Sequence, residues 1–147
     1  MEKTEKYRLL ERQVAALVEG ETDVIAKMAN VAAVLHETFG FWWTGFYRVA
    51  GDELVLGPFQ GPVACMHIPF GKGVCGTAWM RNETVVVPDV EQFPGHIACS
   101  SASRSEIVVP VHGPDGAVTA VLDIDSDRLA TFDEEDRVWL EKIVTLL

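Results

Sequence analysis

The sequence predicts an α+β domain, in which a central, mostly antiparallel sheet of about six strands is flanked by helices from both chain ends. Three observations carry that expectation. Apolar residues recur at helical spacing at the start of the chain, a capping signal opens a helix near its end, and short β-rich runs punctuated by Gly and Pro fill the stretch between. With 147 residues, the length suits one domain spanning 1–147.

In the first helix Leu9, Leu10, Val14, Leu17 and Val18 share one face, and after a break at Gly20 the pattern returns at Val24, Ile25, Met28, Ala32 and Leu35. Strands are expected at Trp43 to Ala50, Glu53 to Phe59, Ala64 to Phe70, Val85 to Val87, Ser105 to His112 and Ala117 to Asp125. Gly73 to Arg81 has room for a short helix between the third and fourth strands. Thr131 with Glu134 reads as a capping box for a last helix, Asp133 to Leu147. Pro88 to Arg104 is a long irregular connection, and loops of that length in a compact domain usually serve function.

Charge narrows the function classes. Lys and Arg total 12 against 22 Asp and Glu, a net charge of −10. The scattered cations form no basic stripe, which argues against a nucleic-acid partner. The longest uncharged stretch, Leu54 to Gly71, is broken by Gly57, Pro58, Gly61, Pro62 and Pro69, so no membrane helix is expected. The first twenty residues lack the apolar run of a signal peptide, and the expectation is a cytoplasmic protein with reduced thiols.

The segment HGPDGA at 112–117 suits a type I turn, with Pro114 at its second position and Gly116 closing it. A hairpin centred on Pro114 and Asp115 places Glu106 opposite Asp123. Strand alternation adds Asp125 on the same face, leaving Val118, Ala120, Leu122 and Ile124 as an apolar face. Like charges opposed on a sheet are destabilising, so packing gives no reason for the cluster. It either faces water, ligates a metal, or holds at least one carboxyl with a raised pKa that can give a proton to an acceptor oxygen.

Cys65, Cys75 and Cys99 form no CxxC. A Cys2His2 zinc site with His67 and His96 can be written down, but it lacks the usual paired spacing. Free cysteines are often just small buried hydrophobes. Against that, Cys75 falls at an expected helix N-terminus, where the dipole favours thiolate, and Cys99 falls in the long loop. In FWWTGFY at 41–47, alternation puts Trp43, Gly45 and Tyr47 on one face and Trp42, Thr44 and Phe46 on the other. The first face is either core or a wall with room for a small apolar group above the glycine.

The strings LVLGPFQGPVAC, IPFGKGVCGTA, VPDVEQFPGHIACSSAS, SEIVVP and VLDIDS, in this order, closely resemble the free methionine-(R)-sulfoxide reductases. The resemblance runs from about Glu21 to Leu147. It implies a single GAF-type domain and reduction of free methionine-R-sulfoxide, with no cofactor, thioredoxin as reductant and a homodimer as the assembly. By the same resemblance Cys99 is the nucleophile, Cys65 the resolving thiol that forms a disulfide with it, and Cys75 an auxiliary thiol. Glu106, Asp123 and Asp125 are implied in substrate binding, with Trp43 and Tyr47 as the wall around the methyl end. Trp42, Trp79, Met80 and Ser100 depart from the family pattern. The alternative is a non-catalytic GAF domain that senses a small molecule or redox state.

Overall fold

The computed structural model describes residues 1–97 and 102–147. Cys99 and Ser100 lie outside the described residues. The elements run α1 (Lys3–Val18), α2 (Val24–Phe39), β1 (Trp43–Ala50), β2 (Glu53–Gln60), β3 (His67–Pro69), α3 (Gly73–Arg81), β4 (Val85–Val87), β5 (Ser105–His112), β6 (Val118–Ser126) and α4 (Glu134–Val144). The six strands form one sheet in the order β3-β2-β1-β6-β5-β4, every neighbouring pair antiparallel. The chain is therefore the α+β domain expected, with β1 and β6 at the centre. Among the described residues, no helix is long and apolar enough to cross a membrane.

Each face of the sheet carries its own core. On one face Phe46, Ile107, Val109, Leu122 and Ile124 pack against Tyr7, Leu10 and Val14 of α1, Val31 and Leu35 of α2, and Leu140 and Ile143 of α4. Full burial of side chains of this size stabilises by roughly 1.5–3 kcal/mol each. The helices are fixed locally as well as by packing. Asp23 caps α2 by accepting from the backbone N–H of Ile25 and Ala26, and Gly40 ends it at φ +67. Tyr7 donates to the buried Asp136 at 2.5 Å, tying α1 to α4. The opposite face, built from Val108, Val121, Val85 and Val87, is covered by Val74, Cys75 and Ala78 of α3.

Three local expectations need correction. The cap of α4 is Asp133, which forms its box with Asp136 rather than Thr131 with Glu134. Thr131 is occupied elsewhere, because its hydroxyl bonds the Ser126 hydroxyl at 2.6 Å. The third strand shrinks from Ala64–Phe70 to His67–Pro69, because the chain ahead of it is held by side chains of β1 described below. The hairpin register is off by two. The turn forms, with the Gly116 N–H donating to Gly113 O at 3.0 Å, but Gly116 adopts φ +84 and Gly113 pairs with Ala117. That is a glycine bulge, and it adds one residue to the β6 side. A second irregularity follows, since His112 pairs with Val118 but Val111 pairs with Ala120. Glu106 therefore faces Asp125, and Asp123 faces Val108. Two single-residue shifts restore the parity that one would have broken, so the three carboxylates keep a common face. Val118, ahead of the second shift, packs with the opposite core from Ala120, Leu122 and Ile124.

Candidate active site

The sheet register assembles the site from three adjacent strands. Trp43 of β1 pairs with Asp125 of β6, Gly45 with Asp123 and Tyr47 with Val121. On the other side of β6, Glu106 of β5 pairs with Asp125. Because side chains alternate, Trp43, Tyr47, Glu106, Asp123 and Asp125 project from one face, the face crossed by α3. Gly76 lets α3 lie close, since a Cβ there would stand 2.6 Å from Pro69 O. All five residues, together with Cys75, line a cavity of about 50 Å³, which Trp42, Val63, Ala64, His96, Ile97 and Ser103 help to enclose.

One wall is aromatic. The Trp43 ring stacks between Tyr47 and Phe59, with centroids 5.9 and 5.2 Å away. Its indole N–H donates to Pro62 O at 3.0 Å, and the Tyr47 hydroxyl donates to Cys65 O at 2.9 Å. The polar tips thus anchor the segment between β2 and β3 and leave apolar ring surface for the cavity. Burial and the nearby carboxylates push the Tyr47 phenol well up, so it remains a donor.

The opposing wall is acidic and largely dry. Glu106 and Asp123 are each 6% exposed. Burial holds the carboxyl of Glu106 well above the ordinary range, and the charges of Asp123 and Asp125 push it further. Asp125 is raised by burial and by Asp123, while the Ser103 hydroxyl donates to it at 3.4 Å. Asp123 is raised by burial against the opposing pull of hydrogen bonds from Glu106, Cys75 and Asp125. Three carboxyls in one dry pocket cannot all ionise cheaply, so the cluster retains at least one proton to higher pH than a free acid would. Asp123 Oδ1 is buried and has no hydrogen-bond partner among the described residues. Such an orphan acceptor costs about 1–3 kcal/mol, which a donor brought by a ligand would recover.

Cys75 is buried and free in the first turn of α3. The thiolate expected there is overturned. Burial comes first and the charges of Asp123, Glu106 and Asp125 follow in pushing its pKa well up, overwhelming the helix dipole. Cys75 therefore stands beside Asp123 as a thiol. Cys65 is disulfide-bonded. The zinc constellation of Cys65, Cys99, His67 and His96 is not assembled among the described residues. His67 bonds Glu53 at 2.9 Å on the edge strand, whereas His96 lines the cavity. Among the described residues, the set with metal-ligand proximity is Cys75, Glu106 and Asp123, whose donor atoms all lie within 4.8 Å of one another.

Sequence reasoning missed two wall residues. His96 Nε2 stands 4.0 Å from Glu106 Oε1, and burial lowers its pKa, favouring the neutral ring. Its one sequence signal was proximity to Cys99. Trp42 was expected on the opposite face, but it precedes β1 and turns into the cavity. Trp79 and Met80 are not among the lining residues; Trp79 stacks edge-on against Phe70 on the outside of α3.

Comparison with known proteins follows the same lines. A family model described as a GAF domain matches residues 19–147. "GAF domain-containing protein A" of Dictyostelium discoideum is 55% identical, over 99% of this chain and 92% of the relative. The free methionine-R-sulfoxide reductase of Escherichia coli K12 is 48% identical, over 100% of this chain and 89% of the relative. The X-ray structure of free methionine-R-sulfoxide reductase from Neisseria meningitidis in complex with its substrate superposes with a TM-score of 0.97 at 54% identity, covering 99% of this chain and 88% of that one.

Proposed function

The chain belongs to the free methionine-R-sulfoxide reductases, a family of oxidoreductases built on the GAF domain, and from that premise we propose how it reduces free L-methionine-(R)-sulfoxide. The observation that carries the reading is the juxtaposition, in one cavity, of an aromatic wall with the buried carboxyls of Glu106 and Asp123 and the half-buried one of Asp125, Asp123 presenting an acceptor with no partner among the described residues. Methionine sulfoxide has a compact apolar methyl end, a basic sulfoxide oxygen and an ammonium group. Trp43 and Tyr47 surround the methyl group, a protonated carboxyl of the cluster donates to the sulfoxide oxygen, and an ionised one takes the ammonium.

Protonation makes the sulfur electrophilic. The Cys99 thiolate attacks it, the S–O bond breaks, and oxygen passes to Cys99 as sulfenic acid while methionine leaves. The Cys65 thiol condenses with the sulfenic acid, releasing water and forming the Cys65–Cys99 disulfide. Thioredoxin then resets the enzyme by dithiol exchange, itself becoming oxidised. Cys75 serves as an auxiliary thiol that donates to Asp123. The chemistry is carried by side chains alone, the span 1–147 acts as one catalytic unit, and a disulfide that must be reduced again in every cycle suits the cytoplasm. A homodimer joined through α1, whose Leu9 and Leu17 are exposed, completes the proposal.

Single-turnover chemistry tests the cysteine roles. Cys65→Ser is expected to release about one methionine per chain and then stop with thioredoxin, because the sulfenic acid forms but is not resolved. Cys99→Ser is expected to release none. Sustained turnover by Cys99→Ser overturns the assignment, and ligand binding without turnover by the wild type favours the sensor reading.

A further inference from the structure

We propose that the reduced protein binds one zinc-class divalent cation inside this cavity, through Cys75 Sγ and the carboxylates of Glu106 and Asp123, and that cation and substrate exclude each other. Binding itself does not depend on the reductase mechanism; it follows from which donor atoms the fold brings together.

The three ligands come from three elements, α3, β5 and β6, and all are buried. Their donor atoms already lie within 4.8 Å of one another. A tetrahedral ion with Zn–S near about 2.3 Å and Zn–O near about 2.1 Å needs neighbouring donors about 3.5 Å apart. Contraction by about 1 Å is within reach of side-chain rotation. The orphaned Asp123 Oδ1 is a second and separate indication, since it is an enclosed acceptor that no group among the described residues satisfies. His96 Nε2, 4.0 Å from Glu106 Oε1, borders the cluster from the wall without joining the three donors, which leaves the fourth position to water.

The donor set decides the kind of ion. One thiolate and two carboxylates with water in the fourth position suit zinc, cobalt and cadmium, whereas calcium and magnesium require six or more oxygens, many of them from water. On binding, the Cys75 thiol and any protonated carboxyl give their protons to solvent, so binding strengthens as pH rises. No electron transfer is involved. The ion would occupy the acids needed by the sulfoxide oxygen and the ammonium group, hence the mutual exclusion.

Cobalt reads the site without an activity assay. Reduced protein, kept in a phosphine reductant, is titrated with Co²⁺ for the near-ultraviolet thiolate charge-transfer band, and with Zn²⁺ by equilibrium dialysis. One ion per chain is expected. Cys75→Ser should lose the band and weaken zinc binding by more than about 100-fold. The double variant Cys65→Ser/Cys99→Ser should keep both, and methionine sulfoxide added to it should displace the metal. Cys75→Ala, checked for folding by circular dichroism, repeats the test where serine perturbs the core. A band that survives both Cys75 variants, or that disappears in the double variant, overturns the proposal, as does equal affinity for Mg²⁺ or failure to bind one zinc per chain.

Discussion

Gly45 lies in the register directly opposite Asp123 and beneath the Trp43 ring, and replacing it with alanine should damage the cavity more than the fold. Its backbone needs no left-handed angle; the demand is for space. A Cβ there would stand 2.4 Å from Phe59 Cβ and 2.6 Å from the far edge of the Trp43 ring. Ordinary contact begins at 3.4 Å, so the deficits are about 1.0 and 0.8 Å. Phe59 Cβ is fixed to the β2 backbone, and the ring, held at its indole N–H by Pro62 O, can relieve the clash only by tilting into the substrate space. Overpacking of this degree costs typically about 1–3 kcal/mol, which should lower the melting temperature but leave the variant folded at 25 °C. A misplacement near 1 Å at a binding wall costs about 100-fold in rate, so kcat/KM for free methionine-(R)-sulfoxide should fall by about that factor. Gly57→Ala is the control, since its added Cβ would meet Phe46 O and Arg48. That variant should lose some stability with little change in kcat/KM. Wild-type kcat/KM in Gly45→Ala, or equal losses of activity in both variants, refutes the view that the glycine keeps the aromatic wall in place.

The acidic wall yields two further expectations. Asp123→Asn and Glu106→Gln should each slow reduction by about 100-fold or more yet leave the protein folded. Raised pKa values mean that the native cluster holds protons the unfolded chain has already lost. Its stabilising contribution is therefore full below the ordinary carboxyl values of 3.8 and 4.5 and disappears as pH rises through the raised ones. Hence Asp123→Asn should match or exceed the wild-type melting temperature at pH 8, and a fall of several degrees refutes the sign. Single-turnover reduction by the wild type should decline on the alkaline side as the donating carboxyl ionises, and Glu106→Gln should flatten that limb. Recycling has a separate handle at Met66, which is 69% exposed and adjoins Cys65. Met66→Glu should slow thioredoxin-driven turnover by about fivefold, the equivalent of about 1 kcal/mol at an interface. Turnover with dithiothreitol should be unchanged; an equal slowing with both reductants places Met66 in the chemistry instead.

The features legible in sequence were those set by local periodicity. Strands β1, β4 and β5 and helix α3 take the expected bounds, because alternation, Gly and Pro punctuation and helical spacing are properties of the chain itself. The acidic face survived for a subtler reason. The hairpin register differs from the expected one by two residues, and only the evenness of that shift keeps Glu106 with the aspartates; Gly116 is the residue type that its bulge demands, whereas the irregularity near Thr119 carries no such mark. Cys75 went the other way. A helix N-terminus suggests a thiolate, but burial and three neighbouring carboxyls are long-range facts that its flanking residues do not encode. The same holds for His96 and Trp42, which reach the cavity from irregular chain where alternation has no meaning. Tertiary competition also moved the α4 cap, since Thr131 is drawn to Ser126 and leaves Asp133 to accept the first N–H groups.

Substrate choice tests the central claim most directly. Reduction of four substrates, the R and S epimers of methionine sulfoxide each free and within a peptide, is followed as NADPH consumption with thioredoxin and its reductase. The proposed placement of two rings at the methyl end and carboxylates at the ammonium group predicts turnover of the free R epimer, with the other three near background. Equal turnover of the peptide-bound R epimer, or no turnover of the free R epimer by folded, reduced protein, contradicts it.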